Sequence, residues 1–319
     1  MGKLTLTRLV LGKSVVLTGS DNDTYLASLF KESSLPEQDI VSLILNSCDE
    51  QSTMLDVGAN IGYISVVMSI AAHKGKVFAF EPAPNTFAFF KQNIKDNNLS
   101  NVKAFKFGLS DKAYETTITY ADDNSSGAFV GKIDTKNMQD HTVEKIELKV
   151  LDKEYKKLGI TKCDFLKVDI EGHEASFLKG AEKFIAEFKP MTIMEANHWC
   201  LNIFNRTSLP DFLDQAFKNF PYIYAFSGGK YLDLKDSSER FKFFYRNTVN
   251  NNFTNLFCGF NKNQMLKILN ASLDKPSVSQ QNLDDIAGKY AELKVLYNQL
   301  ENSKAQKVAK KVNKALGRG

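Results

Sequence analysis

Between residues 50 and 200, short apolar runs alternate with longer amphipathic segments, and this alternation constrains the fold more than any other feature of the chain. Such a rhythm is typical of βα units that assemble into a parallel sheet. It predicts strands at 53–57, 76–80, 102–107, 165–169 and 191–195, and helices at 63–72, 86–97 and 175–188. The chain is therefore expected to adopt an α/β fold.

Two departures from this rhythm add strands of another kind. Between residues 109 and 151, polar and β-branched pieces predict a hairpin-like insertion with a Ser-Ser-Gly turn. After residue 220, PYIYAFSGGKYLDL predicts two strands around a Ser-Gly-Gly turn, and TNLFCGFNK predicts one more. Late antiparallel strands commonly close the edge of a parallel sheet.

Composition excludes several classes of protein. The 319 residues are 43% hydrophobic and 24% charged, and the formal net charge is +4 at pH 7, which gives no argument for a nucleic-acid partner. The four cysteines lie far apart, so neither a disulfide framework nor a zinc site is indicated. The first residues lack a signal-peptide pattern, and no run of eighteen apolar residues occurs, so a cytoplasmic protein is predicted.

The stretch MLDVGANIGY (54–63) carries the first sign of a ligand. A strand ends at Asp56, and Gly58, Asn60 and Gly62 follow before a helix; Glu81 ends the next strand, where an acid can accept hydrogen bonds from ribose hydroxyls. A dinucleotide pyrophosphate would favour bare backbone amides and the pattern G-x-G-x-x-G. The side chains of Asp56 and Asn60 crowd this turn, and a carboxylate and an amide suit an amino-acid end better than two phosphates. They favour S-adenosylmethionine over NAD, although the loop alone leaves both cofactors open.

Several motifs together resemble one family. DVGANIGY, FAFEPAPNTFAFFKQNI, FGLSDK, LDKEY, DFLKVDIEGHEASFLKGA and MTIMEAN, in this order, are similar to the FkbM family of S-adenosylmethionine-dependent O-methyltransferases. The resemblance covers roughly residues 50 to 200. It implies a class I methyltransferase (Rossmann-like) fold, with a mostly parallel seven-stranded sheet and an antiparallel edge hairpin.

The resemblance also implies roles for individual residues in cofactor binding. Asp56, Gly58, Asn60 and Gly62 would form the loop on the methionine side, and Glu81 would hold the ribose. Pro82 and Asn85 would shape the adenosine pocket, while Ser110 and Asp111 would lie at the adenine edge.

Candidate catalytic residues follow two neighbouring strands. Asp169, Glu171 and His173 come after one strand and Glu195 ends the next, at the sheet edge where open α/β folds bind ligands. A sugar-type hydroxyl is a poor nucleophile, so these groups are predicted to orient it or remove its proton. Magnesium could accept the carboxylates of Asp169, Glu171 and Glu195, although nothing in their spacing demands a metal.

The C-terminal part changes character from about residue 276. Leu283, Ile286, Tyr290, Leu293, Tyr297 and Leu300 form a heptad-like seam, and six basic residues follow without an acid. This helical tail could form a homo-oligomer or pack back on the sheet, and its basic end could contact an anionic membrane. The predicted division is a lead-in segment (1–49), the cofactor-binding domain (50–262) and the tail (263–319).

Three functions remain open from the sequence. The resemblance implies an O-methyltransferase acting on a hydroxyl of a small molecule or glycan, such as a surface polysaccharide or glycolipid. The alternatives are an NAD-linked oxidoreductase and a non-catalytic scaffold that retains the nucleoside-binding fold. Cofactor binding distinguishes the first two, and turnover distinguishes the third.

Overall fold

The computed structural model of the chain describes residues 2–31, 36–131 and 140–273. In chain order, the elements are β1 (Lys3–Val10), β2 (Lys13–Ser20), α1 (Thr24–Lys31), α2 (Gln38–Ser47), β3 (Thr53–Val57), α3 (Tyr63–Ala71), β4 (Lys76–Phe80), α4 (Pro84–Asp96), β5 (Val102–Phe105), β6 (Gly108–Leu109), β7 (Tyr114–Ala121), β8 (Asn124–Val130), β9 (His141–Lys149), α5 (Leu151–Glu154), β10 (Phe165–Val168), α6 (Glu174–Gly180), α7 (Glu182–Phe188), β11 (Met191–Glu195), α8 (His198–Asn205), α9 (Leu209–Asn219), β12 (Tyr222–Ser227), β13 (Lys230–Asp233), α10 (Ser237–Asn250), β14 (Asn255–Gly259) and α11 (Lys262–Leu273).

The central sheet confirms the predicted α/β class I methyltransferase fold. Its order is β13-β12-β14-β11-β10-β3-β4-β5, and the five strands from β11 to β5 are parallel to one another. Each of the other three strands pairs antiparallel with its neighbours, β14 with β11 and β12, and β13 with β12. Apolar cores cover both faces of this sheet, which explains why its strands are mostly apolar. The sequence patterns predicted all eight strands of this sheet, whereas the family resemblance implied seven; the eighth strand is β13, which the tight turn after Ser227 allows to pair with the outer side of β12.

Most predicted boundaries agree with the structure to within two residues. Strands β3, β4 and β11 begin and end where the apolar runs do, and β5 ends two residues earlier than predicted. The predicted helix at 175–188 is instead two helices, α6 and α7, because the backbone of Ala181 (φ −125°, ψ 11°) departs from helical geometry.

The insertion forms a second sheet in the order β6-β9-β7-β8. The predicted Ser-Ser-Gly turn is wrong: the chain turns at Asp122 and Asp123, so that Ala121 pairs with Asn124, and the two serines lie inside β8. Their hydroxyls bind neighbouring side chains, since Ser125 Oγ donates to Asp23 and Ser126 Oγ donates to Asn124. Both serines are therefore hydrogen-bonded within a strand and take no part in the turn.

The N-terminal hairpin of β1 and β2 was not predicted. Its edge is held by Asn93 in α4 and by Asn97, which caps the C-terminus of that helix. The amide group of Asn93 pairs with the backbone of Thr18, and that of Asn97 pairs with Val16, at distances from 2.6 to 3.0 Å. Asn93 also donates to the carbonyl of Ile61, in the loop after β3. The hairpin is thus tied to the loop that the sequence assigns to the cofactor.

Met1–Asp274 is one compact unit, and the predicted lead-in segment contributes β1, β2, α1 and α2 to it. The three-part division stays a prediction. The heptad-like seam and the basic tail lie outside the described residues. Within the described part of the chain, no helix has both the length and the apolar character required to cross a bilayer.

Candidate functional site

A cleft opens at the carboxyl ends of β3, β4 and β10, and its free space, which includes volume open to solvent, is about 870 Å³. Seven of the predicted site residues line it, namely Gly58, Asn60, Glu81, Pro82, Asp169, Glu171 and His173. The structure therefore brings together residues from both predicted groups.

The loop after β3 is fixed between the two neighbouring strands. Gly58 has a φ of 82°, and a Cβ at this position would lie 1.8 Å from the carbonyl oxygen of Asp169. The backbone N–H groups of Gly58 and Ala59 both donate to the carbonyl of Phe80, at 3.0 Å. Because these amides already have a partner, they are not available to a pyrophosphate.

Asp56 and Gly62 support this loop from behind and do not line the cleft. The Asp56 side chain is fully buried; its Oδ2 accepts a 2.6 Å hydrogen bond from Ser65, and its Oδ1 lies 3.8 Å from Lys167 Nζ. Burial raises the pKa of Asp56, although Lys167 and Ser65 oppose this effect. Gly62 caps the N-terminus of α3 and packs against the ring of Phe90.

Lys167 is a site residue that sequence analysis missed. It lies in β10, its side chain is 6% exposed, and Nζ contacts Asp169 Oδ2 and the carbonyl of Gly58, both at 3.2 Å. Burial alone would lower the pKa of Lys167, but the nearby carboxylates of Asp169, Asp56 and Glu37 raise it overall. A lysine inside an apolar strand, in the run FLKV, was the signal that could have revealed it.

Glu81 is oriented by backbone groups. Its Oε2 accepts from the N–H of Asn60 at 3.0 Å, and its Oε1 accepts from the N–H of Ala83 at 2.8 Å. Burial raises its pKa to about 7, although both backbone hydrogen bonds lower it. Each oxygen keeps a lone pair for a further donor, so this carboxyl can bind a pair of vicinal hydroxyls.

Three carboxylates meet where β10 and β11 end; those of Asp169 and Glu171 line the cleft, whereas the predicted site residue Glu195 does not. Asp169, Glu171 and Glu195 each offer an oxygen, and these oxygens lie within 4.8 Å of one another. Glu171 has a left-handed backbone (φ 51°) and its Oε2 accepts from the Cys200 thiol at 3.0 Å. Burial, followed by the charge of Asp169, raises the pKa of both Glu171 and Glu195. We refer to Asp169, Glu171 and Glu195 as the acidic rim.

His173 is held by the predicted adenine-edge residues. Its Nε2 lies 2.9 Å from Ser110 Oγ, and Ser110 Oγ also donates to Asp111 Oδ1 at 3.1 Å. Burial lowers the pKa of His173, and Asn205 and Asp111 oppose the change. Ser110 and Asp111 do not line the cleft but position a histidine that does.

Asn85 lies beside a smaller neighbouring cavity of about 320 Å³. Its side-chain amide donates to Tyr120 at 3.3 Å, and its backbone N–H donates to Glu144. Both partners belong to the insertion, so Asn85 ties the start of α4 to the second sheet.

Distant segments complete the cleft. Tyr25 and Glu37, which come from the N-terminal part, are joined by a 3.1 Å hydrogen bond from the Tyr25 hydroxyl. The insertion contributes a mostly apolar wall that includes Ile118, Val130 and Leu148. No local motif marks these residues, because only the tertiary fold brings them to the site.

The comparisons with known proteins agree with this architecture. The chain is 33% identical over 149 residues to the hexuronic acid methyltransferase AglP of Haloferax volcanii, covering 45% of this chain and 56% of that protein. It is 28% identical over 148 residues to Methyltransferase 1 of Beauveria bassiana, covering 42% and 59%. The chain thus matches somewhat more than half the length of these relatives.

Among solved structures, methyltransferase FkbM from Methylobacillus flagellatus is 21% identical with a TM-score of 0.38, over 55% of this chain and 40% of that one. A family model described as the methyltransferase FkbM domain matches residues 56–224, which is more than half of the chain and includes the loop after β3, Glu81 and the acidic rim. The chain therefore belongs to the FkbM methyltransferase domain family.

Proposed function

We propose that the protein transfers a methyl group from S-adenosylmethionine to a hydroxyl oxygen of a saccharide-type acceptor. The observation that supports this most directly is that one cleft contains two different groups of polar side chains. One group is Glu81, oriented by backbone amides, and the other is Asp169 and Glu171 of the acidic rim. A nucleoside cofactor and a polar acceptor could thus meet in one cavity.

In the proposed complex, Glu81 accepts hydrogen bonds from the ribose hydroxyls. Pro82, Leu109 and the apolar wall of the insertion would hold adenine, and Asn60 and Glu37 would hold the amino-acid end. The carboxylate of Glu37 suits an ammonium group. Asp56 and Gly62 order the loop, Asn85 anchors the insertion, and Ser110 and Asp111 hold His173 at the cleft wall.

The acidic rim would act on the acceptor. Bound S-adenosylmethionine would supply the methyl group and keep the electron pair of the broken carbon–sulfur bond on its sulfur, while the acceptor oxygen would take the methyl group and pass its proton to a carboxylate. We assign orientation to Asp169 and proton removal to Glu171, whose pKa is raised by burial. His173 Nε2 is engaged by Ser110, so we assign it a positioning role.

A saccharide acceptor is supported by the name of the Haloferax relative, which identifies hexuronic acid as the substrate of that protein. The acidic rim agrees with it in chemistry, since carboxylates commonly accept hydrogen bonds from vicinal hydroxyls. Because the match covers 56% of that relative, the acceptor remains part of the proposal.

The first test is calorimetric titration of the full chain with S-adenosylmethionine, S-adenosylhomocysteine and NAD. We expect binding of the first two and none of NAD; binding of NAD alone would overturn the proposal. Transfer of a labelled methyl group to hexuronic-acid saccharides follows. We expect Asp169→Asn to keep S-adenosylhomocysteine binding and lose turnover, whereas the exposed control Asp214→Asn keeps both.

A further inference from the structure

The acidic rim concentrates like charges at the carboxyl ends of β10 and β11. Its three carboxylates come from two adjacent parallel strands, β10 and β11, and their nearest oxygens are held within 4.8 Å. Like charges this close repel strongly unless a counter-ion or a proton intervenes. The arrangement is therefore stabilised by a positive partner or by a shared proton.

Glu195 shows that the described protein groups do not supply this partner. Its Oε2 is shielded from solvent and has no hydrogen-bond partner among the described residues. Lys167, the adjacent cation, is shared between Asp169, Asp56 and the carbonyl of Gly58. A buried carboxylate oxygen without a donor is costly, so a cation or a proton at Glu195 Oε2 would be favoured.

From this geometry we infer that Asp169, Glu171 and Glu195 bind one hard divalent cation, of the Mg²⁺, Mn²⁺ or Ca²⁺ type. Such ions prefer carboxylate oxygens at about 2.0 to 2.6 Å, so oxygens on opposite sides of an ion are about 4 to 5 Å apart. The oxygens of the acidic rim are within that span without movement of the backbone.

Binding of the ion does not depend on the proposed function, but its role does. If the protein methylates a hydroxyl, the ion would lie where Asp169 and Glu171 face the cleft, and would bind the acceptor oxygen. A bound cation lowers the pKa of such an oxygen and orients it. The acidic rim would then act as a ligand set that presents the acceptor.

The test is a titration of the purified full chain with Mn²⁺, without cofactor or acceptor, in which the electron paramagnetic resonance signal of the free ion is measured. We expect one equivalent to be retained per chain and to be displaced by excess Mg²⁺ or Ca²⁺. Glu195→Gln should weaken retention by about tenfold or more. The matched control Glu182→Gln, an exposed glutamate at the start of α7, should bind as the parent does.

Thermal unfolding of the parent and of Glu195→Gln, measured without metal, tests whether the variant is still folded. Removing one of three clustered negative charges should leave the melting temperature of Glu195→Gln unchanged or raise it, so weaker retention by this variant reports lost ligation. Equal retention by the parent and Glu195→Gln, or no stoichiometric retention, would overturn the inference and indicate a cluster that shares protons. Neither result would test cofactor binding, which is measured separately.

Discussion

At the scale of single residues, Lys167 contributes most to the electrostatics of the site. Its ammonium group lies among two carboxylates and a carbonyl, and its side chain is 6% exposed. Removing one member of a buried ion pair leaves the other charge without compensation. Lys167 therefore stabilises the loop after β3 together with the end of β10, and the cleft depends on both.

We expect Lys167→Met to lower the free energy of unfolding by about 3 to 5 kcal/mol. The control is Lys162→Met, which removes a lysine that is 56% exposed from a surface pair with Asp164 and should cost less than about 1 kcal/mol. Urea unfolding of both variants measures the difference. Equal losses in the two variants would contradict the assigned role of Lys167.

Glu81 should give cofactor binding a characteristic pH dependence. Burial raises its pKa to about 7, and ribose hydroxyls donate best to the ionised form, so binding lowers this pKa. Affinity should therefore rise with pH up to about 7 and level off above it. The slope below 7 should reach at most about tenfold per pH unit.

The measurement uses 5′-methylthioadenosine, which carries the ribose without the titratable amino acid. Calorimetry at pH 6.5 in buffers of different ionisation enthalpy should show proton release on binding. Glu81→Gln removes the titrating group and should abolish the slope. Proton uptake, or an affinity that is constant between pH 6 and pH 8, would contradict Glu81 as the ribose ligand.

At the scale of elements, an aromatic stack attaches the insertion to helix α8, which follows β11 of the main sheet. The rings of Phe129 in β8 and Phe204 in α8 have centroids 3.9 Å apart and an interplanar angle of 3°. Since β8 also lines the cleft, the stack holds one wall of the site. A stacked aromatic pair contributes about 0.5 to 1.5 kcal/mol beyond the burial of its area.

We expect Phe129→Ala to weaken S-adenosylhomocysteine binding by roughly tenfold, as loss of that stacking energy would allow. Hydrogen exchange should also accelerate in β7 to β9. The control is Phe241→Ala, whose ring is 71% exposed and whose loss should change neither measurement. If Phe129→Ala binds as tightly as the parent, the insertion is not part of the cofactor wall.

The elements that could be predicted are those that are determined by their own sequence and the residues next to it. Strands β3, β4 and β11 are largely buried on both faces, so each is a mostly apolar run that ends at a turn. The predicted loop and acids follow these strands directly, and seven of the thirteen predicted site residues line the cleft. Parallel strand ends meet at one edge of a sheet, which is why order along the chain was sufficient.

The elements that could not be predicted depend on distant partners. The hairpin of β1 and β2 is held by Asn93 and Asn97, about eighty residues away. Asp23 contributes to the position of the turn in the insertion, because it accepts a hydrogen bond from Ser125 in β8. Tyr25 and Glu37 reach the cleft for the same reason. Nothing in a local sequence window encodes these contacts.

At the scale of the whole molecule, three separate regions enclose one cavity. The central sheet supplies the loop after β3, the N-terminal part supplies Tyr25 and Glu37, and the insertion supplies the apolar wall. Ser125 in β8 joins them, because its hydroxyl contacts both Asp23 and Asn60. A ligand that fills the cleft should therefore stabilise all three regions together.

We expect saturating S-adenosylhomocysteine to slow hydrogen exchange in the loop (57–62), in α1 and in β7 and β8. At a ligand concentration of one hundred times Kd, segments whose opening abolishes binding gain about 2.7 kcal/mol, which corresponds to roughly a hundredfold slower exchange. Helix α11 does not line the cleft and is the internal control at exchange times shorter than global unfolding. If only the loop were protected, the N-terminal part and the insertion would not enclose the ligand, and the cleft would be open to solvent on those two sides.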